Sequence, residues 1–344
     1  MQQHNLNQSN ALVPIIDVSA VFGSDEKRVQ ALVDDIAQAC KKIGFFYIKN
    51  YGIDDSLYEE AFNVSKALFA LPQQEKDSLN IKLSPYMRGY FSHGADKSDG
   101  VNDDIKEGFD MATDLPVSDP YVMMKLPFYG PNVWPESLPK FKNVMNDYHR
   151  LHLELGRALL RLFARGLNVP ETFFDDKFAK PMAQLRTLRY PVSVDHTIDS
   201  NGAGEHTDFG WITMIAQEPG TDGLQVKDIT GNWVGVPVVP STLVVNVGDL
   251  MRMWTNDVYT ATLHRVINRS SVSRHSIAFF MDPDYFVKIE CLSSCISKEL
   301  PAKYQPFVVG DYMNRRFYET TTFREDATAT PVPSSHFRKL EQMT

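Results

Sequence analysis

Apolar residues recur at helical spacing in three segments of the first half of the chain. Between residues 24 and 43, apolar side chains return every three or four positions, with Ser24 as a candidate N-cap and Gly44 as a candidate stop. Residues 55–71 and 138–165 repeat this pattern. The pattern therefore predicts three amphipathic helices, each with one face on a hydrophobic core.

After Met182 the hydrophobic pattern changes to short runs that are typical of β-strands. Turn residues such as Pro219-Gly220 separate the runs, and eight strands at such intervals predict a jelly roll or barrel. We therefore expect a mainly β fold with flanking helices, and we expect residues 80–135, which show no clear period, to be irregular. The predicted strands cover 13–17 and 45–48 and then, after Met182, 183–191, 210–217, 223–228, 232–238, 242–248, 261–268, 274–282 and 287–291.

Charge and composition argue against several classes of protein. The 344 residues are 43% hydrophobic, which is enough for a sizeable core in one domain. A formal net charge of −8 argues against a general nucleic-acid binder, which needs a clustered basic surface. The chain has no apolar run of the length that predicts a membrane span, and residues 1–10 do not resemble a signal peptide. We therefore expect a cytoplasmic protein that binds neither nucleic acid nor a membrane.

A His-x-Asp pair is the first sign of a metal site. If residues 204–210 are extended, His206 and Asp208 project from the same face of a strand and converge on one point. His264 lies 56 residues after Asp208, in an apolar run that can form a strand beside the first. Two histidines and one carboxylate form a facial triad with open positions, as expected of non-heme Fe(II) oxygenases. A lone His-x-Asp is common, however, and by itself more often has no metal.

Arg274 and Ser276 form a second candidate group, two residues apart on one face of an apolar run. A guanidinium fork gives two parallel charge-assisted hydrogen bonds to a carboxylate, and a hydroxyl adds a third. Arg274 follows His264 by ten residues, which fits a hairpin. Taken alone, Arg274 would be interpreted as half of a surface ion pair. Together with the triad, the pair predicts an anchor for a carboxylate.

His149 and His152 form another possible ligand pair, on the predicted helix of residues 138–165. Polar residues beside an apolar helical stripe are ordinarily a solvated margin. We therefore interpret both histidines as surface residues rather than as metal ligands.

Motifs along most of the chain occur in the order found in one known family. They cover the segments 14–17, 44–52, 88–90, 185–191, 206–208, 223–226, 244–249, 264–266, 274–276, 310–312 and 316–317. In this order they resemble the Fe(II)- and 2-oxoglutarate-dependent oxygenases, in the branch that looks like isopenicillin N synthase and the plant hydroxylases. The resemblance implies a distorted double-stranded β-helix, a form of jelly roll, braced by N-terminal and central helices.

The resemblance also implies one oxygenase domain over residues 1–344. Within it we expect a mobile leader at 1–12, a helical and strand N-terminal part at 13–180, a β-helix core with the iron site at 181–292, and a C-terminal segment at 293–344. The tail of that last segment is expected to be either loose or folded over the mouth of the site. We expect a monomer or a weak homo-oligomer.

The reaction of the family implies a role for each candidate residue. His206, Asp208 and His264 would hold Fe(2+) and leave a position for O2. Arg274 and Ser276 would bind the far carboxylate of the cosubstrate 2-oxoglutarate. Oxidative decarboxylation to succinate and CO2 would then accompany oxidation of a C–H bond in a small-molecule substrate. Hydroxylation is the expected outcome, while desaturation and ring closure remain open.

Two features leave alternatives open. Tyr190 matches a tyrosine that adds a hydrogen bond to the 2-oxoglutarate carboxylate, but Leu188 stands where many plant relatives have asparagine. Isopenicillin N synthase uses the same triad, and its Arg-x-Ser pair holds the peptide substrate, with no 2-oxoglutarate. The first alternative is therefore an oxidase in which Arg274 and Ser276 bind the substrate carboxylate. A β-barrel binder with a structural metal or none is the second.

Four residues are candidates for contact with the substrate. Arg88 and Tyr90 resemble a segment that faces the pocket in relatives, and Trp211 follows Asp208 by three residues. Phe280 alternates in phase with Arg274 and should share its inward face. Aromatic groups with one arginine suit a small, partly apolar molecule that has an anionic or hydrogen-bonding group. Trp211 and Phe280 fit equally well as ordinary core residues.

Overall fold

A large β-sheet lies between a layer of helices and a smaller sheet in the computed structural model, which describes residues 12–98, 102–192, 201–268 and 270–322. The helices are α1 (Glu26–Lys42), α2 (Asp55–Phe69), α3 (Gln73–Ser78), α4 (Pro120–Met123), α5 (Pro139–Gly166), α6 (Asp249–Trp254) and α7 (Val309–Thr320). The strands are β1 (Ile15–Asp17), β2 (Phe45–Lys49), β3 (Gly89–Phe91), β4 (Glu107–Ala112), β5 (Met182–Tyr190), β6 (Asn201–His206), β7 (Ile212–Gln217), β8 (Leu224–Lys227), β9 (Trp233–Gly235), β10 (Thr242–Val247), β11 (His264–Ile267), β12 (Arg274–Asp282), β13 (Lys288–Ile289) and β14 (Phe307–Val308).

The large sheet has the strand order β1-β2-β10-β7-β12-β5-β4-β3, and the small sheet has the order β6-β11-β8-β9. β1 and β2 are parallel, whereas the other neighbours in both sheets are antiparallel. β13 and β14 form a separate pair. Two sheets with flanking helices confirm the predicted mainly β fold.

Two hydrophobic cores lie on opposite faces of the large sheet. On one face, residues such as Leu159 of α5 and Phe279 of β12 pack with the buried stripes of α1 and α2. On the other face, Tyr47 and Leu188 of the large sheet pack against Val226 of the small sheet. The three predicted amphipathic helices are therefore confirmed, and they cover the side of the sheet that faces away from the small sheet.

α1 begins at an N-cap one residue later than the sequence predicted. The carboxylate of Asp25, not the hydroxyl of Ser24, accepts hydrogen bonds from the amides of Lys27 and Arg28. An Asx cap of this kind satisfies amides that have no partner inside the helix. The predicted stop at Gly44 is confirmed, because Gly44 has a φ of +66° and no other residue tolerates this conformation as readily.

The end of α1 is tied to the segment that precedes His264. The amide of Thr260 donates to the carbonyl of Cys40 at 2.9 Å, and the hydroxyl of Thr262 donates to the carbonyl of Ile43. A Cβ on Gly44 would lie 1.8 Å from the carbonyl oxygen of Thr260, so only glycine permits this approach. The helix terminus thereby fixes where β11 begins.

Residues 80–135 are more regular than the sequence predicted. β3 and β4 extend one edge of the large sheet, and α4 follows them. Every residue of β4 is buried, including Glu107 and Asp110, which pair with buried basic side chains. Charged residues inside a strand hide its hydrophobic pattern, which explains why this strand was missed.

Two strand assignments near the candidate site were wrong. Residues 204–210 do not form one strand, because β6 ends at His206 and Asp208 lies in the loop that follows. His264 and Arg274 do not belong to one hairpin either. β11 pairs with β6 and β8 in the small sheet, whereas β12 pairs with β5 and β7 in the large sheet.

The interpretation of His149 and His152 as surface residues was also wrong. Both are buried, and each ring bonds a backbone carbonyl: His149 that of Ala183 at 2.9 Å, and His152 that of Tyr148 at 2.8 Å. Burial lowers the pKa of His149 to about 4 and that of His152 to about 3, so both rings are neutral near pH 7. They are core residues whose rings form hydrogen bonds with buried backbone carbonyls.

Several expectations concern residues outside the described ranges. The predicted leader lies there apart from residue 12, and so does the tail of the C-terminal segment from residue 323 onward. Within the described ranges, no helix combines the length and the hydropathy needed to cross a bilayer.

We predict that Gly44→Ala lowers the free energy of unfolding by at least about 2 kcal/mol, because alanine is strained at a positive φ and its Cβ meets the Thr260 carbonyl. Urea denaturation measures this change. Gly235→Ala is the matched control, since a Cβ there meets nothing within 4 Å. Equal stability of the two variants would contradict the role given to Gly44.

Candidate active site

Three predicted metal ligands meet between the ends of β6 and β11. His206 ends β6, His264 begins β11, and the two residues are paired in register. The carboxylate of Asp208 completes the group, with Oδ1 at 3.8 Å from His206 Nε2 and 3.6 Å from His264 Nε2. The three ligand atoms all lie within 4.8 Å of one another, a spacing at which they can bind a single metal ion.

Backbone carbonyls fix the tautomer of both histidines. His206 Nδ1 lies 2.7 Å from the carbonyl oxygen of Gly204, and His264 Nδ1 lies 3.1 Å from that of Thr262. A carbonyl can only accept, so each Nδ1 carries the proton and each Nε2 presents a lone pair. This is the usual outer arrangement around metal-binding histidines.

The large sheet holds the carboxylate of Asp208. Thr213 of β7 and Asn246 of β10 both donate hydrogen bonds to Oδ2, the second at 2.6 Å. Thr213 and Asn246 are themselves buried. Because Oδ2 is occupied from the sheet side, Oδ1 remains directed at the two histidines.

Electrostatics at the three residues suit a divalent cation. Burial, with His264 close by, lowers the pKa of His206 to about 4. Burial alone would raise the pKa of Asp208, but His264, His206 and the Asn246 amide hold it well below its usual range. Burial alone would lower the pKa of His264, but Asp208 raises it. A buried anion beside two imidazoles therefore attracts positive charge, which a metal ion supplies in place of a proton.

Arg274 and Ser276 lie at the start of β12, on the face of the strand that lines the cavity. Arg274 pairs in register with Tyr190 of β5, and its guanidinium carbon lies 5.0 Å from the centre of the Tyr190 ring. Its Nη1 lies 3.4 Å from the hydroxyl oxygen of Ser276, and its Nη2 donates to Gln217 Oε1 at 3.1 Å. Its Nε is buried and makes no hydrogen bond within the described residues. A buried fork with an unused donor fits an external carboxylate.

One cavity contains both groups. Its walls come from both sheets, and β12 contributes every second residue: Arg274, Ser276, Ala278, Phe280 and Asp282. This alternation is that of a strand with one face on the cavity and the other on the helical core. The candidate metal site and the carboxylate anchor therefore belong to a single chamber.

α7 covers part of this cavity. Met313 and Phe317 of α7 line it, as do Thr320 and Thr321 where the helix ends. The amide of Lys97 donates to the carbonyl of Thr320 at 2.9 Å, which ties the end of α7 to the loop after β3. α7 therefore forms part of the cavity wall.

Of the four predicted substrate residues, one lines the cavity and three lie outside its lining. Phe280 lines the cavity. Trp211 is completely buried among aromatic side chains, with its ring centroid 4.8 Å from that of Phe174, and belongs to the core beside α5. Arg88 and Tyr90 also lie outside the cavity lining. The chain bends at residues 209–211, and Trp211 belongs to the core although it follows Asp208 by only three residues.

Arg88 and Tyr90 have structural partners instead. The guanidinium of Arg88 donates to the carbonyls of Phe128 and Tyr86, and it is buried. The hydroxyl of Tyr90 donates to the carboxylate of Glu107 at 2.7 Å. Both side chains therefore brace the edge of the large sheet, and neither lines the cavity in which the sequence analysis expected them.

Five side chains of the cavity wall that are charged or carry an amide were not identified from the sequence: Asp96, Lys106, Gln184, Arg186 and Asp282. The alternation that pointed to Phe280 would also have pointed to Asp282, two residues later on β12. Gln184 and Arg186 follow the same alternation on β5. Asp96 and Lys106 come from the region interpreted as irregular, where no periodic signal exists.

Two family models match most of the described chain. Residues 13–137 match the model of the non-haem dioxygenase in morphine synthesis N-terminal region, and residues 181–283 match that of the 2OG-Fe(II) oxygenase superfamily. A 2-oxoglutarate-Fe(II) type oxidoreductase of Emericella nidulans is 35% identical over 91% of this chain and 91% of its own length. A homoarginine-6-hydroxylase of Oryza sativa is 33% identical over 88% of this chain and 95% of its own length.

A solved structure shows the same architecture. A full-length Neurospora crassa protein, crystallised in complex with alpha-KG and thymine, superimposes with a TM-score of 0.78. It is 29% identical in sequence and covers 88% of this chain and 96% of that chain.

We predict that Asn246→Ala weakens the binding of a divalent metal about 10- to 100-fold, because Asp208 loses a donor that orients it. Competitive titration with Co(II) measures this affinity. Asn143→Ala, on the exposed face of α5, is the control and should match the unaltered protein. An Asn246 variant with unchanged Co(II) affinity would show that the amide does not orient the ligand.

Proposed function

Because this chain belongs to the 2-oxoglutarate–Fe(II) oxygenase superfamily and is an oxidoreductase that uses Fe(II), 2-oxoglutarate and O2, we propose that it hydroxylates a small molecule. Its fold is the double-stranded β-helix of that superfamily. One observation supports the assignment of the site more than any other: a three-ligand cluster and a buried guanidinium fork share one cavity.

His206, Asp208 and His264 are the proposed iron ligands. Their nitrogen and oxygen donors fit Fe(II), and three ligands on one side leave positions for the cosubstrate and O2. Bound iron would supply the activation of O2 for attack on a C–H bond. The residues of the chain keep both histidines in the Nε2-ligating form and direct Asp208 Oδ1 toward them.

Arg274 and Ser276 are the proposed anchor for the far carboxylate of 2-oxoglutarate. The unused Nε of Arg274 and the hydroxyl of Ser276 offer donors, and Tyr190 lies against the guanidinium. Gln217 holds the guanidinium in place through Nη2 at 3.1 Å. Burial lowers the pKa of Arg274. A guanidinium is nevertheless protonated in proteins, so the site offers a cation to the carboxylate.

The proposed reaction balances as one turnover. 2-Oxoglutarate, O2 and R–H give succinate, CO2 and R–OH, with one atom of O2 in succinate and the other in the new hydroxyl. The two electrons lost when 2-oxoglutarate is decarboxylated and the two lost by the C–H bond together reduce O2. The apolar cover of Met313 and Phe317 would keep water from the reacting centre.

The relatives favour this interpretation over the oxidase alternative. The matching superfamily is named for 2-oxoglutarate, and the Neurospora crassa structure contains alpha-KG. The relatives act on or bind chemically different small molecules: homoarginine in the rice hydroxylase, thymine in the Neurospora crassa complex. We therefore propose the class of small-molecule hydroxylases and derive the chemistry of the substrate from the cavity itself. We also propose the division into an N-terminal part at 13–180 and a β-helix core at 181–292, within which the two family matches at 13–137 and 181–283 fall.

We predict that Arg274→Lys raises the KM for 2-oxoglutarate about 10- to 100-fold, because an ammonium cannot replace a two-pronged hydrogen-bond donor. The assay is succinate release by anaerobically purified, Fe(II)-reconstituted protein after exposure to air. Arg161→Lys is the matched control, since Arg161 forms exposed ion pairs on the surface.

Two results would contradict the proposal. If the Arg274 variant kept the normal KM, the carboxylate would be bound elsewhere. If the unaltered protein released no succinate, and 2-oxoglutarate left the Fe(II) optical spectrum unchanged, Arg274 would instead hold the substrate of a 2-oxoglutarate-independent oxidase.

A further inference from the structure

The cavity has more carboxylates than basic side chains at the end away from Arg274. Four buried carboxylates and two basic groups lie there, in or directly behind the wall: Asp96, Asp104, Asp110 and Asp282 with Lys106 and Arg186. Buried charges are stable only when they are paired. Within the described residues, four carboxylates therefore share two basic groups at this end, and burial raises the pKa of Asp110 and Asp282.

The two basic groups are fully occupied by three of the carboxylates. Lys106 Nζ lies 2.7 Å from Asp104 and 3.2 Å from Asp96. Arg186 makes two bonds of 2.7 Å to both oxygens of Asp110 and one of 3.0 Å to Asp96. This closed network leaves neither cation for Asp282.

Asp282 has no basic partner in the described part of the chain. It is 4% exposed, and its Oδ1 accepts a hydrogen bond from the backbone amide of Trp211 at 2.8 Å. No described donor bonds its Oδ2, although the residue lines the cavity on the same face of β12 as Phe280. Burial, with Asp208 nearby, raises the pKa of Asp282 to about 7. A cation that enters from the cavity would stabilise the ionised form of this carboxylate by pairing with it.

The other charges of the cavity already have partners in the proposed complex. The 2-oxoglutarate carboxylate would neutralise Arg274, and Asp208 with the cosubstrate would neutralise the iron. Only Asp282 would remain without an opposite charge. Beside it, the walls are apolar, with Phe209, Phe280 and Phe317 lining the cavity.

We propose that the substrate is an organic cation, with an ammonium or guanidinium group that binds the carboxylate of Asp282 and a hydrocarbon part that packs against Phe280 and Phe317. This inference rests on the proposed function, because it assigns the remaining cavity space to the molecule that is hydroxylated. Because carboxylates outnumber basic groups at this end, an anionic group of a substrate would be disfavoured there.

The test uses three probes that share one hydrocarbon chain: hexylguanidinium, the neutral hexylurea and the anionic heptanoate. Each is titrated by calorimetry into the anaerobic Fe(II)-loaded protein, with and without 2-oxoglutarate. Hexylguanidinium should bind at least about tenfold more tightly than hexylurea, and heptanoate most weakly, because only the cation pairs with the buried carboxylate.

Asp282→Asn should remove this preference by weakening hexylguanidinium binding at least about tenfold, while hexylurea binding changes little. Asparagine keeps an oxygen to accept the Trp211 amide, and the melting temperature reports whether the fold is retained. Asp147→Asn is the control, because Asp147 lies on the exposed surface of α5 and its side chain is 62% exposed.

The three titrations of the unaltered protein test the inference even if the Asp282 variant does not fold. No binding of hexylguanidinium at millimolar concentration, or equal binding of hexylurea or heptanoate, would overturn the inference. A 2-oxoglutarate titration of the same sample tests the proposed function separately. If 2-oxoglutarate binds and the preference for the cation is absent, only the inference fails; if the preference is present without 2-oxoglutarate binding, only the cosubstrate assignment fails.

Discussion

The site depends on the hydrogen bonds by which the large sheet holds a carboxylate that faces the small sheet. Thr213 and Asn246 occupy one oxygen of Asp208 and leave the other directed at His206 and His264. Neither sheet has a complete ligand set, because the histidines end one strand and begin another in the small sheet, while the donors belong to the large sheet. The distance between the two sheets, set by the core between them, therefore determines whether three ligand atoms can meet.

The chemistry of the site could be predicted from the sequence better than its geometry. The residue types at 206, 208 and 264 and the Arg-x-Ser pair are short local patterns, so they are readable without a fold, and the ligand atoms do come within 4.8 Å of one another. Which strands are neighbours depends on contacts between distant segments. The supposed hairpin of His264 with Arg274 failed for this reason, since a ten-residue separation is equally compatible with a change from one sheet to the other.

Buried charge explains most of the remaining errors. Hydrophobic periodicity assumes that polar side chains face water, and β4 breaks this assumption with Glu107 and Asp110, which are buried because Lys76 and Arg186 pair with them. Trp211 is the opposite case, a residue adjacent to the ligands in sequence that belongs to the core.

β12 places cavity residues and core residues alternately along nine positions. A deletion of one residue within it would exchange the two sets, bringing Ile277 and Phe279 into the cavity and sending Ser276 and Phe280 into the helical core. An insertion or deletion along this strand would therefore disturb the cavity and the core together, unless a β-bulge absorbed it. Substitution at every second position, by contrast, changes the cavity surface and leaves the register of the core side chains as it is.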